Sequence, residues 1–296
     1  MTLMKTVLWV LLPVLLCGAA AAECVVERQA QLPLTLDGFM PTVVARINGQ
    51  DVRLGIDTGS QGTILTPTAV ERLGLTRDFR RFATAFGATG RILVNNAIID
   101  DFEFAGRVSR AKSVPVIAIA QPRGKSEPGV PAMDGIIGAE ILSQFDLDID
   151  LPDRTLTLYR VEGCAEVTPN WGAGAVTRLP AAIGRSGRPV IPVELDGKPA
   201  RAIFDSGASA TLMSPAPDGS RREPTTLFVL DENASLSPRR VVNLRIGDEI
   251  LPPTQLGQVD FPLGEADLLI GEDFMRTRRF WLSYATGALF IAKDPV

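Results

Sequence analysis

One stretch of this chain is written twice, and each copy drives an aspartate into the end of an apolar run. From Met40 the sequence reads MPTVVARINGQDVRLGIDTGS, and from Arg188 it reads RPVIPVELDGKPARAIFDSGA. Pro41 matches Pro189, Gly49 matches Gly197 and Asp57 matches Asp205, each pair 148 residues apart without a gap. A second match follows at an offset of 133, where Ile136-Ile137-Gly138 answers Leu269-Ile270-Gly271. The second copy is therefore shorter in its middle. Part of the difference is a helix signal in the first copy, with Thr66 as cap, Pro67 at the first turn and Gly74 as stop.

Each copy predicts two β-strands joined by a tight turn, at Asn48-Gly49 and at Asp196-Gly197. The second strand of each pair ends in the aspartate, and the glycine two residues later permits a sharp turn. Downstream, each apolar-apolar-Gly element leads into a short helix and then a hairpin, turning at Leu151–Arg154 in one copy and at Ala285–Gly287 in the other. The turn-rich stretch 163–176 falls between the copies as a linker. The organisation expected is a leader over 1–22, one lobe over 23–162, the linker over 163–176 and a second lobe over 177–296.

A buried carboxylate is costly unless it is hydrogen-bonded or used, so composition decides which uses remain. Histidine is absent. That removes Ser-His-Asp and Cys-His catalysis and every zinc site that needs imidazole. No metal and no cofactor is expected. Lys and Arg number 30 against 34 Asp and Glu, without a basic run, which excludes a nucleic-acid footprint. The N-terminus carries Lys5, an apolar run from Thr6 to Leu16 and Ala20-Ala21-Ala22, the pattern of a cleaved export signal. The apolar run is short for a membrane span and contains Pro13. The expected location is periplasmic or secreted, with no stable span after cleavage. Cleavage would leave Cys24 and Cys164, which in an oxidising compartment predict one disulfide.

Each aspartate opens an Asp-Thr/Ser-Gly-Ser/Ala turn. Backbone N–H groups around Gly59 and Gly207 can bond the carboxylates, and the Thr58 and Ser206 hydroxyls can reach the opposing loop. If the lobes face each other about a pseudo-two-fold axis, Asp57 and Asp205 meet. Two carboxylates that close hold one proton between them. The charged member can activate a water and the protonated member can polarise a carbonyl. Because Ser60 offers a hydroxyl where Ala208 offers none, Asp57 is expected to be the more readily ionised member and the base.

These motifs resemble the retropepsin-like and pepsin-like aspartic proteases, in the form of a single-chain tandem of two retropepsin-type lobes found in bacterial retroviral-type aspartyl proteases. The resemblance rests on Asp57-Thr58-Gly59-Ser60 with Ile136-Ile137-Gly138, and on Asp205-Ser206-Gly207-Ala208 with Leu269-Ile270-Gly271, and covers 32–292. It implies an all-β, bilobal acid-protease fold: two duplicated β-barrel-like lobes with a few short helices. It also implies hydrolysis of a peptide or protein substrate and a flap, and a dyad sharing one proton leads to the expectation of a pH optimum below neutral. The flap candidate is FATAFGATGRILV, with Phe86, Gly87 and Gly90 near its tip. The corresponding stretch of the second copy, 225–244, has no glycine, so one flap is expected. A duplicated chain carries both halves of such a site, which favours a monomer over a homodimer. The competing reading is an inactive peptide- or protein-binding module on the same fold.

Other signals read as structural. Asp146, Asp148 and Asp150 alternate with apolar residues, as in a strand with one wet face, and lack the Gly and Glu of a calcium loop. Gly124-Lys125-Ser126 lacks the further glycine of a phosphate loop. Glu272 and Asp273 are placed to begin a helix. Trp171, Phe280 and Trp281 are packing residues.

Overall fold

The computed structural model describes residues 23–36, 40–87, 90–119, 132–172, 174–214, 227–228, 237–259 and 263–293. The leader, Gly124-Lys125-Ser126, much of 215–236 and the two residues at the tip of the flap candidate lie outside them. The fold is mostly β, in curled, barrel-like sheets with only a few short helices.

Both Asx-Gly turns form as the sequence requires. Asn48 and Gly49 have φ of 49° and 77°, and Asp196 and Gly197 have 51° and 74°. Two positive φ values in succession match the right-handed twist of the flanking strands, and Asn, Asp and Gly tolerate them best. The first turn joins strands Thr42–Ile47 and Gln50–Ile56, and the second joins Pro189–Leu195 and Lys198–Phe204. In each half the second strand then pairs in parallel with the apolar-Gly element. Ile56 lies beside Ile137, and Phe204 beside Ile270. A two-residue strand, Ile64–Leu65 or Leu212–Met213, pairs antiparallel on the other side of that element.

The agreement extends to individual hydrogen bonds. Arg53 N–H donates to Asp134 and Arg201 N–H to Asp267, both at 2.9 Å. Gly138 N–H donates to the Thr63 hydroxyl and Gly271 N–H to the Thr211 hydroxyl. Thr63 N–H in turn donates to Glu140, and Thr211 N–H to Asp273. All of these partners are related by the offsets 148 and 133.

The halves meet in a six-stranded sheet to which each contributes three strands. Val25–Pro33, Thr155–Glu162 and Asp146–Asp150 come from the first half, and Arg279–Ser283, Ala288–Ala292 and Val176–Pro180 from the second. The junction is the antiparallel pairing of Asp146–Asp150 with Arg279–Ser283. One core cluster runs through both halves and includes Ile56, Ile137, Phe204, Ile270, Phe280 and Leu282. Phe280 packs edge-on against Phe204, with ring centroids 4.9 Å apart. A disulfide joins Cys24 to Cys164 just beyond the Val25–Glu162 end of the first ladder. Closing a loop of 140 residues is worth about 5 kcal/mol in the chain-entropy account.

The acidic strand departs from expectation. All five residues of Asp146–Asp150 are buried, so it has no wet face. Its charges are answered by groups distant in sequence. Arg279 grips Asp148 with two hydrogen bonds of 2.9 and 2.8 Å and lies 3.3 Å from Asp150. Trp171 donates to Asp148 and lies under the Arg279 guanidinium. Trp281 and the Ala285 N–H donate to Asp146. Trp171 and Trp281 thus pack and also satisfy carboxylates. The short helices form where expected: Thr66 caps Pro67–Arg72 through Ala69 N–H, and Glu272 opens Glu272–Met275.

Candidate active site

The two aspartates leave their strands at equivalent points. Asp57 N–H donates to Ile137 O at 3.1 Å, and Asp205 N–H donates to Ile270 O at 3.0 Å. Two apolar-Gly elements therefore fix the start of two Asp-Thr/Ser-Gly turns. The elements need glycine there because a Cβ at Gly138 would run into the backbone of Gly62, and one at Gly271 into that of Ala210.

Reciprocal hydrogen bonds lock the turns across the junction. Thr58 N–H donates to the Ser206 hydroxyl at 3.1 Å, and Ser206 N–H donates to the Thr58 hydroxyl at 3.0 Å. Each hydroxyl then donates onward, Thr58 to Phe204 O at 2.6 Å and Ser206 to Ile56 O at 2.7 Å. All four bonds are buried, so every donor and acceptor in the cross-brace is satisfied without water. The reach of these hydroxyls to the opposing loop was readable from the sequence.

The cross-brace brings the carboxyls together. A Cβ at Gly59 would fall on the Asp205 carboxyl, and one at Gly207 on the Asp57 carboxyl. Each carboxyl thus lies over the glycine of the other turn, a close approach that any side chain would obstruct. Asp57 is 8% exposed and Asp205 9%. Asp57 Oδ1 accepts Ser60 N–H at 2.7 Å. Asp205 Oδ1 accepts both Gly207 N–H at 2.9 Å and Ala208 N–H at 3.1 Å.

Burial first, and then the charge of Asp205, hold the Asp57 carboxyl well above the usual carboxylate range. Burial raises Asp205 as well, but the Gly207 N–H, the bond from Asp57 and the Arg188 charge oppose it. The charged form is better supported at Asp205, which accepts two backbone N–H bonds within 3.1 Å, than at Asp57, which accepts the one from Ser60. The Ser60 hydroxyl does not make the donation to Asp57 that the sequence suggested. It donates to Gly62 O at 2.8 Å, within its own turn, and the Ser60 backbone N–H serves Asp57.

Two neighbours were not picked out from sequence. Arg188 stands at the repeat position of Met40, and the register Val190↔Ile203 carried two residues further sets it opposite Asp205. It is 2% exposed, with Nε donating to the Ser186 hydroxyl at 3.3 Å and Nη2 lying 3.6 Å from Glu265. Burial lowers its pKa, while Glu265, Asp205 and Asp57 raise it, in that order. Comparing the copies at the 148 offset would have exposed the Met-to-Arg exchange. Tyr284 carried no signal. Its buried hydroxyl lacks a partner among the described residues, and burial, then Asp57 and Asp146, push its pKa up.

Residues 77–104 form the hairpin anticipated as a flap. Strands Arg77–Gly87 and Gly90–Phe104 run antiparallel as far as Gly87↔Gly90, with Phe86 opposite Arg91. From the other half, Leu227–Phe228 pairs in parallel with Ala85 and Phe86. No group of metal-ligating side chains occurs among the described residues.

The family model described as aspartyl protease matches residues 43–141. That span contains Asp57-Thr58-Gly59-Ser60 and Ile136-Ile137-Gly138 and ends before the second copy. No curated protein matches the chain.

Proposed function

We propose that this chain is an aspartic endopeptidase, built from two duplicated lobes, in which Asp57 and Asp205 jointly activate one water. The observation that carries the reading is the mutual approach of two buried carboxyls, each over the other's turn glycine and held by backbone N–H groups. Such a pair offers one base and one acid in the same small volume.

The roles follow from the electrostatics. Asp205, ionised, takes a proton from the water. The hydroxide equivalent adds to the scissile carbonyl carbon, while protonated Asp57 donates a hydrogen bond to the carbonyl oxygen as negative charge develops there. The proton gained by Asp205 then passes to the leaving amide nitrogen as the C–N bond breaks, and the dyad again holds one proton. Thr58 and Ser206 act by position, fixing the distance between the two turns. The hairpin ending at Gly87 and Gly90 closes over the substrate as a flap. The apolar start of the chain and the Cys24–Cys164 bridge support export, with the active form beginning near Glu23. One chain supplies the whole site, so the active unit is a monomer.

The test is cleavage of a diverse peptide mixture from acidic to neutral pH by the parent, Asp57→Asn and Asp205→Asn. Cleavage by the parent and none by either variant supports the dyad. Retained cleavage in one variant would show that the aspartates do not share a site. A folded parent that cuts nothing would leave a binding module.

A further inference from the structure

Of the nine large hydrophobic residues that stand exposed among the described residues, four lie on the 77–104 hairpin. Phe79 is 70% exposed, Phe82 53%, Leu93 66% and Ile98 39%. Their setting is built. The ladder pairs Asp78 with Asn96 and Phe82 with Asn95, so Phe79, Arg80 and Arg81 have no counterparts on the facing strand. They form a bulge, which bends a strand and re-aims its side chains. Asp78 fixes it, accepting Arg80 N–H at 3.0 Å and the Ser113 hydroxyl at 2.8 Å, with Asn96 donating to the same hydroxyl. Phe79, Arg80 and Arg81 also line one wall of an open depression of about 490 Å³, with Ile98 and Lys112 across from them.

The outcome is an exposed bulge reading Phe-Arg-Arg-Phe, flanked by Arg77 and Lys112, on a chain whose net charge is −4. Its one acid, Asp78, is already engaged. Water is a poor solvent for two phenyl rings this exposed, and nothing among the described residues covers them. A protein partner would ordinarily need about 800 Å² of complementary surface, and a four-residue bulge by itself offers less. A lipid interface deforms around a tip, accommodates aromatic rings at headgroup depth and attracts Arg and Lys when its lipids are anionic.

We propose that the Phe79–Phe82 bulge is a membrane-docking tip that inserts its two rings into an anionic lipid surface while Arg77, Arg80, Arg81 and Lys112 engage the phosphates. The binding is weak, reversible and salt-sensitive. It places the 77–104 hairpin at the bilayer surface by its base, leaving the end at Gly87 and Gly90 free. It is independent of the proposed peptidase chemistry.

The test is hydrogen exchange of the full chain, read by mass spectrometry at residues 77–84. The probes are vesicles of pure phosphatidylcholine, vesicles of an equal mixture with phosphatidylglycerol, and polyaspartate. The local readout does not register binding through other segments, the apolar N-terminal stretch included. Anionic vesicles are expected to slow exchange at 77–84 where neutral vesicles do not. F79S/F82S removes the protection, and R80Q/R81Q weakens partitioning about 25-fold, at about fivefold per cation. Unchanged exchange at 25–33 checks that the variants are folded. Three results each overturn the proposal: no slowing with anionic vesicles, slowing that survives F79S/F82S, or equal slowing by polyaspartate, which would assign the tip to an acidic polymer.

Discussion

The cross-brace makes a quantitative claim about a single oxygen atom. Replacing Thr58 by valine keeps the side-chain volume and shape and removes only the hydroxyl. Two buried groups then lose their partner: the Ser206 N–H, which donates to that oxygen at 3.0 Å, and the Phe204 carbonyl, which accepts from it at 2.6 Å. No water can replace it, because Thr58 and Ser206 are both buried. Each orphaned group costs about 1–3 kcal/mol, so Thr58→Val should destabilise the chain by about 4 kcal/mol. A domain's whole stability is about 5–15 kcal/mol. In urea, with a slope of about 2–3 kcal/mol per molar, the midpoint falls by roughly 1.3–2 M. Tryptophan fluorescence follows the transition through Trp171 and Trp281. Thr58→Ser is the matched control. It keeps the oxygen and loses one buried methyl, at a cost of about 1 kcal/mol. If valine proves no worse than serine, the hydroxyl does not bridge the halves and the account of how the carboxyls are held together is wrong.

Three further outcomes are expected. The folded state holds Asp57 protonated above the ordinary carboxylate pKa, so it binds more protons than the unfolded chain and loses stability as pH rises through that window. Asp57→Asn should therefore be the more stable protein at neutral pH and show a flatter stability–pH curve in denaturant titrations. Arg188→Met removes a positive charge that lowers Asp205 and restores the residue found at position 40. Carbon-13 NMR of the aspartate carboxyls should show the pair's titration moving to higher pH, and an unmoved titration would exclude Arg188 from the site's electrostatics. Arg279→Met strands the buried charges of Asp148 and Asp150 and should cost about 3–5 kcal/mol in chemical denaturation.

The sequence was legible where local chemistry and the repeat agreed. Asn48-Gly49 and Asp196-Gly197 can do little but turn, and Asp-Thr/Ser-Gly at equal spacing announces two equivalent loops with hydroxyls to share. Illegible features depended on partners far along the chain. Asp146, Asp148 and Asp150 look solvated until Arg279, 131 residues from Asp148, and Trp171 are brought over them. Ser60 misled because a hydroxyl chooses between acceptors by local geometry, and here it donates to Gly62 O. The Arg188–Glu265 pairing hid in the departures of one copy from the other, which a search for identity passes over. The sheet joining the halves gave no signal, since any apolar strand of suitable length could have continued that ladder.

That shared sheet also imposes an order in time. The strand at 25–33 waits for its partner at 155–162, and the strand at 146–150 is flanked on its other side by 279–283. Residues 288–292 then extend the sheet. A chain emerging from the ribosome therefore cannot complete the sheet beneath Asp57 and Asp205 until residues 279–292 are free. The meeting of the two turns is thus a late event in the life of each copy, and a break that removes only the strands from 279 onward should leave two turns that never meet.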